Sequence, residues 1–217
     1  AMGPNLKIFK HIKKQADQVN LLLGKERGEA PDMKGSGKRF AHMIAIAPNA
    51  SSSVICGNTS PSIEPLRANA FSQKTLSGTF LIKNKYLEQL LEKKGKNTKD
   101  VWQTIITSGG SVSTLDFLND KEKNVFRTAI EIDQAWLIDL AGERQKYICQ
   151  AQSLNLFFPP DVEVRRLNNV HKRAWTKGLK TLYYLRSEAI RRAENISVKV
   201  ERQVRADSEE ECVMCEA

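Results

Sequence analysis

The chain has 217 residues, 41% of them hydrophobic, and 34 Lys and Arg against 25 Asp and Glu give a formal net charge of +9. That is enough material for one large folded domain or two small ones. No stretch reaches the roughly 18 consecutive apolar residues of a membrane span, and no secretory signal is legible at the start, so no membrane association and a cytoplasmic location are expected.

The positive balance fits either a solvated surface or an anionic partner. Arg and Lys crowd residues 165–205, but Asp207, Glu209, Glu210, Glu211 and Glu216 follow, a change of sign that a simple nucleic-acid tail would not show. Of the four cysteines, Cys56 and Cys149 stand alone, while Cys212 and Cys215 are close in sequence. A structural disulfide framework is not expected, and the close pair points to metal or redox chemistry.

In chain order, residues 6–23 read as an amphipathic helix on Leu6, Phe9, Ile12, Ala16, Val19 and Leu23, stopped at Gly24. Residues 26–38 read as loop. Residues 42–47 are a short apolar run that fits a strand buried on both faces, ended by Pro48 and Asn49. A short helix opens over 51–56, with Cys56 as a small packed residue, and residues 75–82 are a second strand candidate. Asn84 caps a helix to residue 94, and Thr98 caps another through 106, before Gly109 and Gly110. Asp120 is expected to start one long helix to residue 144, with Asp133 on its inner side. A strand over 153–158 closes at Pro159 and Pro160, a helix spans 164–177 with Gly178 at its end, and residues 181–185 form the last strand. Beyond about residue 195 the chain is polar and reads as a mobile tail. The expected division is therefore a folded part, 1–195, and a tail, 196–217. Strands alternating with helices imply parallel pairing in an α/β fold, with too few elements to close a barrel alone.

Three motifs carry chemistry. The run Ala47, Pro48, Asn49, Ala50, Ser51, Ser52, Ser53 follows a strand and opens a helix. Free backbone N–H groups and small hydroxyl side chains there suit a phosphate, although serine-rich runs also cap helices without binding anything. Tyr183 and Tyr184 are adjacent. They are either two aromatics of a core strand, facing opposite ways, or a touching pair that needs an irregular backbone and can pass an oxidising equivalent. Cys212 and Cys215 sit in the polar tail. Structural zinc would need two further ligands, and the alternatives are an unpaired thiol pair or a dithiol that exchanges with another disulfide.

Taken together, the run 48–53, the segment Ser60, Pro61, Ser62, Ile63, Glu64, Pro65, the Thr181–Leu182–Tyr183–Tyr184 stretch and the terminal cysteine pair resemble the C-terminal part of class I ribonucleotide reductase large subunits. The resemblance covers the chain from about residue 6 to the end, with 131–134 and 150–155 as barrel scaffold. It implies the C-terminal half of an α/β barrel followed by a flexible tail. It further implies that Asn49, Ala50, Ser51, Ser52 and Ser53 hold a ribonucleoside diphosphate by its phosphates, that Tyr183 and Tyr184 relay a radical, and that Cys212 and Cys215 reduce an active-site disulfide. Glu64 is expected to fix the turn, and Cys149 to be structural. No cofactor or metal is expected on this chain. The radical would come from a metal-containing class I small subunit, electrons from thioredoxin or glutaredoxin, and the radical cysteine from the N-terminal portion of the large subunit. A naturally split or a truncated large subunit is the implied state. The rival is a basic nucleic-acid-binding protein without catalytic activity, for which the sequence offers no recognition motif.

Overall fold

The computed structural model describes residues 2–56, 60–75 and 78–187. It opens with α1 (Met2–Arg27), then a single 3-10 turn (Pro31–Met33) and a short α2 (Ala50–Ile55). A hairpin of β1 (Ala70–Thr75) and β2 (Gly78–Lys83) leads to α3 (Lys85–Lys93), α4 (Lys99–Thr107) and α5 (Asp120–Val125). The last described elements are α6 (Gln134–Gln145), β3 (Leu156–Phe158), α7 (Val164–Thr176) and β4 (Leu185–Ser187).

The parallel part of the fold is built around residues 150–158. On one side Ile46 pairs with Gln152 in a parallel bridge, held by Ile46 N–H to Ala151 O at 3.2 Å and Ser153 N–H to Ile46 O at 2.8 Å. On the other side β3 pairs in parallel with β4, Leu156 opposite Leu185. The α/β expectation therefore holds for this half. Helices α6 and α7 cover the array, and Ile138, Ala141, Leu154, Leu156, Phe158, Val170 and Ala174 form one buried cluster. Each fully buried large side chain there contributes ~1.5–3 kcal/mol.

A second cluster joins Ala70, Leu87, Leu91, Trp102, Ile105, Val112, Leu115 and Leu118 beneath the hairpin. Here parallel pairing was the wrong expectation. The single strand expected over 75–82 is half of an antiparallel hairpin, with Ala70 opposite Lys83 and Phe71 opposite Ile82. Asn69 ties this unit together: it is buried, and its Nδ2 donates to Gly110 O at 3.0 Å and Phe126 O at 2.7 Å.

The caps at Asn84 and Thr98 are where the sequence puts them, accepting from Tyr86 N–H and Val101 N–H. The long helix expected over 120–144 is broken. Asn119, not Asp120, caps α5 in a reciprocal capping box with Glu122. Asp133, expected on an inner helix face, is the N-cap of α6 and accepts from Ala135 N–H. Between them Glu131 accepts from Thr128 N–H and Oγ1 at 2.8 Å each, and Gln134 donates to Ala129 O at 2.8 Å. Those side chains satisfy a turn that uninterrupted apolar spacing conceals.

Helix α1 also departs from expectation. It runs through Gly24, where an added Cβ would lie 2.0 Å from Gly37 O. The glycine is there for a close loop crossing, not for a stop. Of the expected stripe, Leu6, Ile12 and Val19 are exposed while Phe9, Ala16 and Leu23 are half-buried, and the helix is fastened to α6 and the following loop partly by polar groups. Asn5 Nδ2 donates to Leu140 O at 3.0 Å, and buried Asn20 exchanges two 2.8 Å bonds with the Phe40 backbone.

One ion pair between α6 and α7 has a pH signature. Asp139 is buried and takes a bidentate contact from Arg173, 2.8 Å from Nε to Oδ1 and 2.6 Å from Nη2 to Oδ2. The hydrogen bonds from Arg173 hold its carboxyl below the usual value. The folded value is therefore the lower one, so this stabilisation is present above an unfolded value near pH ~4 and lost as pH falls through the folded value. Because Arg173 is half-exposed, Asp139→Asn is expected to destabilise the fold by only about 1 kcal/mol at neutral pH. The variant should also lose less stability than the native chain on acidification below pH ~4, measured by urea denaturation across pH.

Candidate functional site

Parallel pairing sets the level of each segment. Ile46 lies opposite Gln152, so the loop that follows it emerges beside Leu154, which is where Tyr183 arrives. The phosphate-loop candidate leaves the C-terminal end of segment 42–47, whereas the tyrosine pair lies just before the N-terminal end of β4, so the two come level beside residues 152–154. An open cavity of about 450 Å³ lies there, lined by Ala45, Ile46, Ala47 and Pro48 on one side and by Ser153, Thr181 and Tyr183 on the other, while Asn49–Ser53 and Tyr184 are not among its lining residues.

The segment 42–47 is not buried on both faces: Met43, Ile44 and Ile46 are half-buried and Ala45 and Ala47 exposed. Among the described residues it has a strand neighbour on one edge only. Cys149 helps to hold it. Met43 N–H and Ile44 N–H each reach Cys149 Sγ at 3.1 Å. Burial pushes the Cys149 thiol up, but the Ile44 and Met43 N–H groups and the charge of Lys180 outweigh that and hold it below its ordinary value. Its position between two backbone segments fits the structural role expected of it.

In the loop, Asn49 caps α2 without a side-chain capping bond. Its own N–H is committed to Pro61 O at 2.9 Å, and Ser53 N–H is committed to Asn49 O at 3.0 Å. The N–H groups of Ala50, Ser51 and Ser52 occupy the first turn, where a helix has no internal acceptor for them. Ser53 is buried and Ser52 exposed, with Ser52 Oγ 3.4 Å from Asn49 Oδ1. Of the five residues singled out, the middle three thus offer the backbone donors. Cys56, expected to be packed, is exposed at the end of this helix.

Tyr183 and Tyr184 touch. Their ring centroids are 4.1 Å apart at 52°, and their hydroxyl oxygens are 3.4 Å apart, within reach but longer than a tight O–H···O bond. That contact with Tyr184 pushes the Tyr183 phenol above its ordinary value. The backbone explains how neighbours come to the same side. Leu156 N–H bonds Tyr184 O at 2.9 Å, which fits the register of β3 with β4. One step back, regular pairing would take Tyr184 N–H to Leu154 O. Instead Tyr183 N–H makes that bond, at 2.9 Å. One residue is therefore extra, and the segment bulges before β4 begins. The expected strand over 181–185 is regular only from Leu185 onward. Tyr184 N–H, displaced from the ladder, turns to Asn155 Oδ1 at 3.3 Å.

Asn155 in turn donates through Nδ2 to Oε1 of Glu64, a buried carboxylate whose Oε2 has no hydrogen-bond partner among the described residues. Behind it lies buried Arg144, whose Nε donates to Gln152 Oε1 at 2.5 Å. Burial pushes the Arg144 guanidinium down to about 10, partly offset by the charge of Glu64. Sequence reasoning placed Asn155 and Gln152 only in the scaffold. A polar residue inside an otherwise apolar strand was the signal available.

Cys212, Cys215 and the tail expected from 196 lie outside the described residues. Among the described residues no group of three or more His, Cys, Asp or Glu could hold a metal ion, and no helix is long and apolar enough to cross a membrane.

The fold is that of a known barrel domain. The family described as "Ribonucleotide reductase, barrel domain" matches residues 9–185, and the chain belongs to it. Among its relatives, the ribonucleoside-diphosphate reductase large subunit of Invertebrate iridescent virus 6 is 51% identical over 197 residues, covering 89% of this chain and 20% of that protein. The corresponding subunit of Invertebrate iridescent virus 3 is 48% identical, over 98% of this chain and 34% of that protein. A solved structure, the Actinobacillus ureae class Id ribonucleotide reductase alpha subunit, superposes with a TM-score of 0.79 at 39% identity, over 87% of this chain and 34% of that one. The chain thus spans between a fifth and about a third of the length of these proteins.

Proposed function

We propose that this chain supplies the C-terminal share of a ribonucleoside-diphosphate reductase large subunit, acting in the cytoplasm to make deoxyribonucleotides for DNA synthesis. The observation that carries this reading is the shared cavity, with the loop start at Pro48 on one wall and Tyr183 on the other. A substrate held there by its phosphates would have its ribose within reach of the relay.

Each part has a chemical role. The first-turn N–H groups of Ala50, Ser51 and Ser52, together with hydroxyls from 51–53, bind the diphosphate, whose charge suits a helix N-terminus. Tyr184 and Tyr183 pass an oxidising equivalent, each giving up an electron and its phenolic proton and recovering both from the next station. The radical originates on a metal-containing small subunit and ends on a cysteine supplied by the N-terminal portion of the large subunit. There a thiyl takes the 3′ hydrogen, the 2′ hydroxyl leaves as water, and two thiols are oxidised to a disulfide as the ribose is reduced. Cys212 and Cys215 then exchange with that disulfide: two thiols are oxidised and two regenerated. Thioredoxin or glutaredoxin reduces the tail in its turn. A tether raises the local concentration of the pair at the distant disulfide. The nucleic-acid-binding rival is not favoured, since the barrel-family match runs over residues 9–185 and takes in about half of the basic region.

The test is reconstitution: this chain, the N-terminal portion of the large subunit and a class I small subunit, assayed for deoxynucleotide formation. Activity that requires all three supports the proposal, and none with any class I partner set overturns it. Within that assembly, replacing Cys212 and Cys215 together by Ser should spare one turnover of pre-reduced protein yet lower thioredoxin-driven cycling by about 10²-fold or more. Sustained cycling by that variant would remove the tail from the mechanism.

A further inference from the structure

We infer that buried Glu64 and half-buried Asn155 together form a positioning element for the tyrosine pair, holding the bulge that turns Tyr183 and Tyr184 to one side.

The argument starts from the extra residue. A bulge leaves a backbone donor without a place in the ladder, and such a donor bonds a side chain or water instead. Here the donor is Tyr184 N–H and the acceptor is the side chain of Asn155, which lies on the neighbouring strand segment, not on the tyrosine strand. An asparagine amide can point either way, and only one orientation presents oxygen to that N–H. Glu64 decides the orientation. Its carboxylate only accepts, so it takes Nδ2 and leaves Oδ1 turned toward Tyr184. Glu64 is itself buried, between Ile63 and Pro65 in the sequence after the loop that begins at Pro48, and its Oε1 takes the bond from Asn155. Regular pairing would put the two rings on opposite faces. The pair thus links the loop to the tyrosines through two side-chain bonds, 91 residues apart for Glu64–Asn155 and 29 for Asn155–Tyr184. Neither residue needs to touch substrate. The functional consequence rests on the relay reading above, whereas the geometric claim does not.

Two measurements separate them. In the full chain, near-ultraviolet circular dichroism reports the coupled rings, and Tyr183→Phe defines the share that depends on their contact. Asn155→Leu, similar in size but unable to accept, should lose most of that share, with the helical signal retained. Glu64→Gln keeps an oxygen for Nδ2 and should retain it. In the reconstituted reductase, Asn155→Leu should lower kcat about tenfold with KM for ribonucleoside diphosphate little changed, and Glu64→Gln should stay near native. Glu64→Leu combined with Asn155→Leu should be no worse than Asn155→Leu alone, because the two act as one unit. If Glu64→Leu does not fold, the Asn155→Leu and Glu64→Gln arms decide the matter alone. Ring coupling that survives Asn155→Leu overturns the inference, as does a raised KM with kcat unchanged. Coupling lost with kcat intact supports the positioning element and overturns the relay.

Discussion

Tyr183→Phe and Tyr184→Phe, each in the reconstituted reductase, should lower deoxynucleotide formation by about 10³-fold or more, equivalent to ~4 kcal/mol of barrier. Phenylalanine keeps the ring but has no phenolic proton to surrender with its electron, so the relay has no station there. The loss should be chemical, not structural. The two rings are 50% and 53% exposed, so removing one hydroxyl takes little from the core. The hydroxyls also meet at 3.4 Å, so neither is the sole partner of a buried group. Thermal unfolding of both variants should therefore fall close to the native midpoint. Substrate binding should persist, since the proposed phosphate donors are backbone N–H groups of α2 and neither tyrosine hydroxyl is among them. Near-native turnover in either variant would end the relay assignment, while unfolding of both would move the pair into the scaffold.

Phe158→Ala is expected to have the largest effect on stability. Phe158 is 1% exposed and packs with Ile138, Leu154, Leu156 and Val170, where α6 and α7 cover β3. Truncation removes the buried ring and leaves a cavity, for a loss of ~3–5 kcal/mol. Against a total stability of ~5–15 kcal/mol, that is enough to populate unfolded chain under mild denaturant. Trp175→Ala supplies the contrast: its side chain is 83% exposed on α7, and its removal should shift stability by no more than ~0.5 kcal/mol. Urea midpoints measure both, and equal shifts would show that the core between α6, α7 and β3 is wrongly placed.

Where a structural decision depends on neighbours within a few residues, the sequence is sufficient. Asn84 and Thr98 each cap a helix by accepting an N–H two or three residues on, and Gly178 takes a positive φ of 74° after α7. The order of loop, scaffold and tyrosines was legible for the same reason: each motif is a short run of residue types. The break between α5 and α6 was not, because apolar spacing across 120–144 suits one helix, and only the bonds of Thr128, Glu131 and Gln134 make two helices and a turn the better solution. The hairpin of β1 and β2 was missed because antiparallel return depends on a turn, not on the composition of the strand.

The chain's residues alone thus set its apolar runs, its caps, and the side-chain chemistry available to a phosphate or a radical. Only folding decided which of those groups meet. Ile46 and Tyr183 are far apart in the chain and come level because residues 150–158 pair with both flanking segments. The bulge arises from one residue of mismatch between two registers, and Glu64 meets Asn155 beside it from a separate loop. Register is a property of two strands together, and neither strand's sequence contains it.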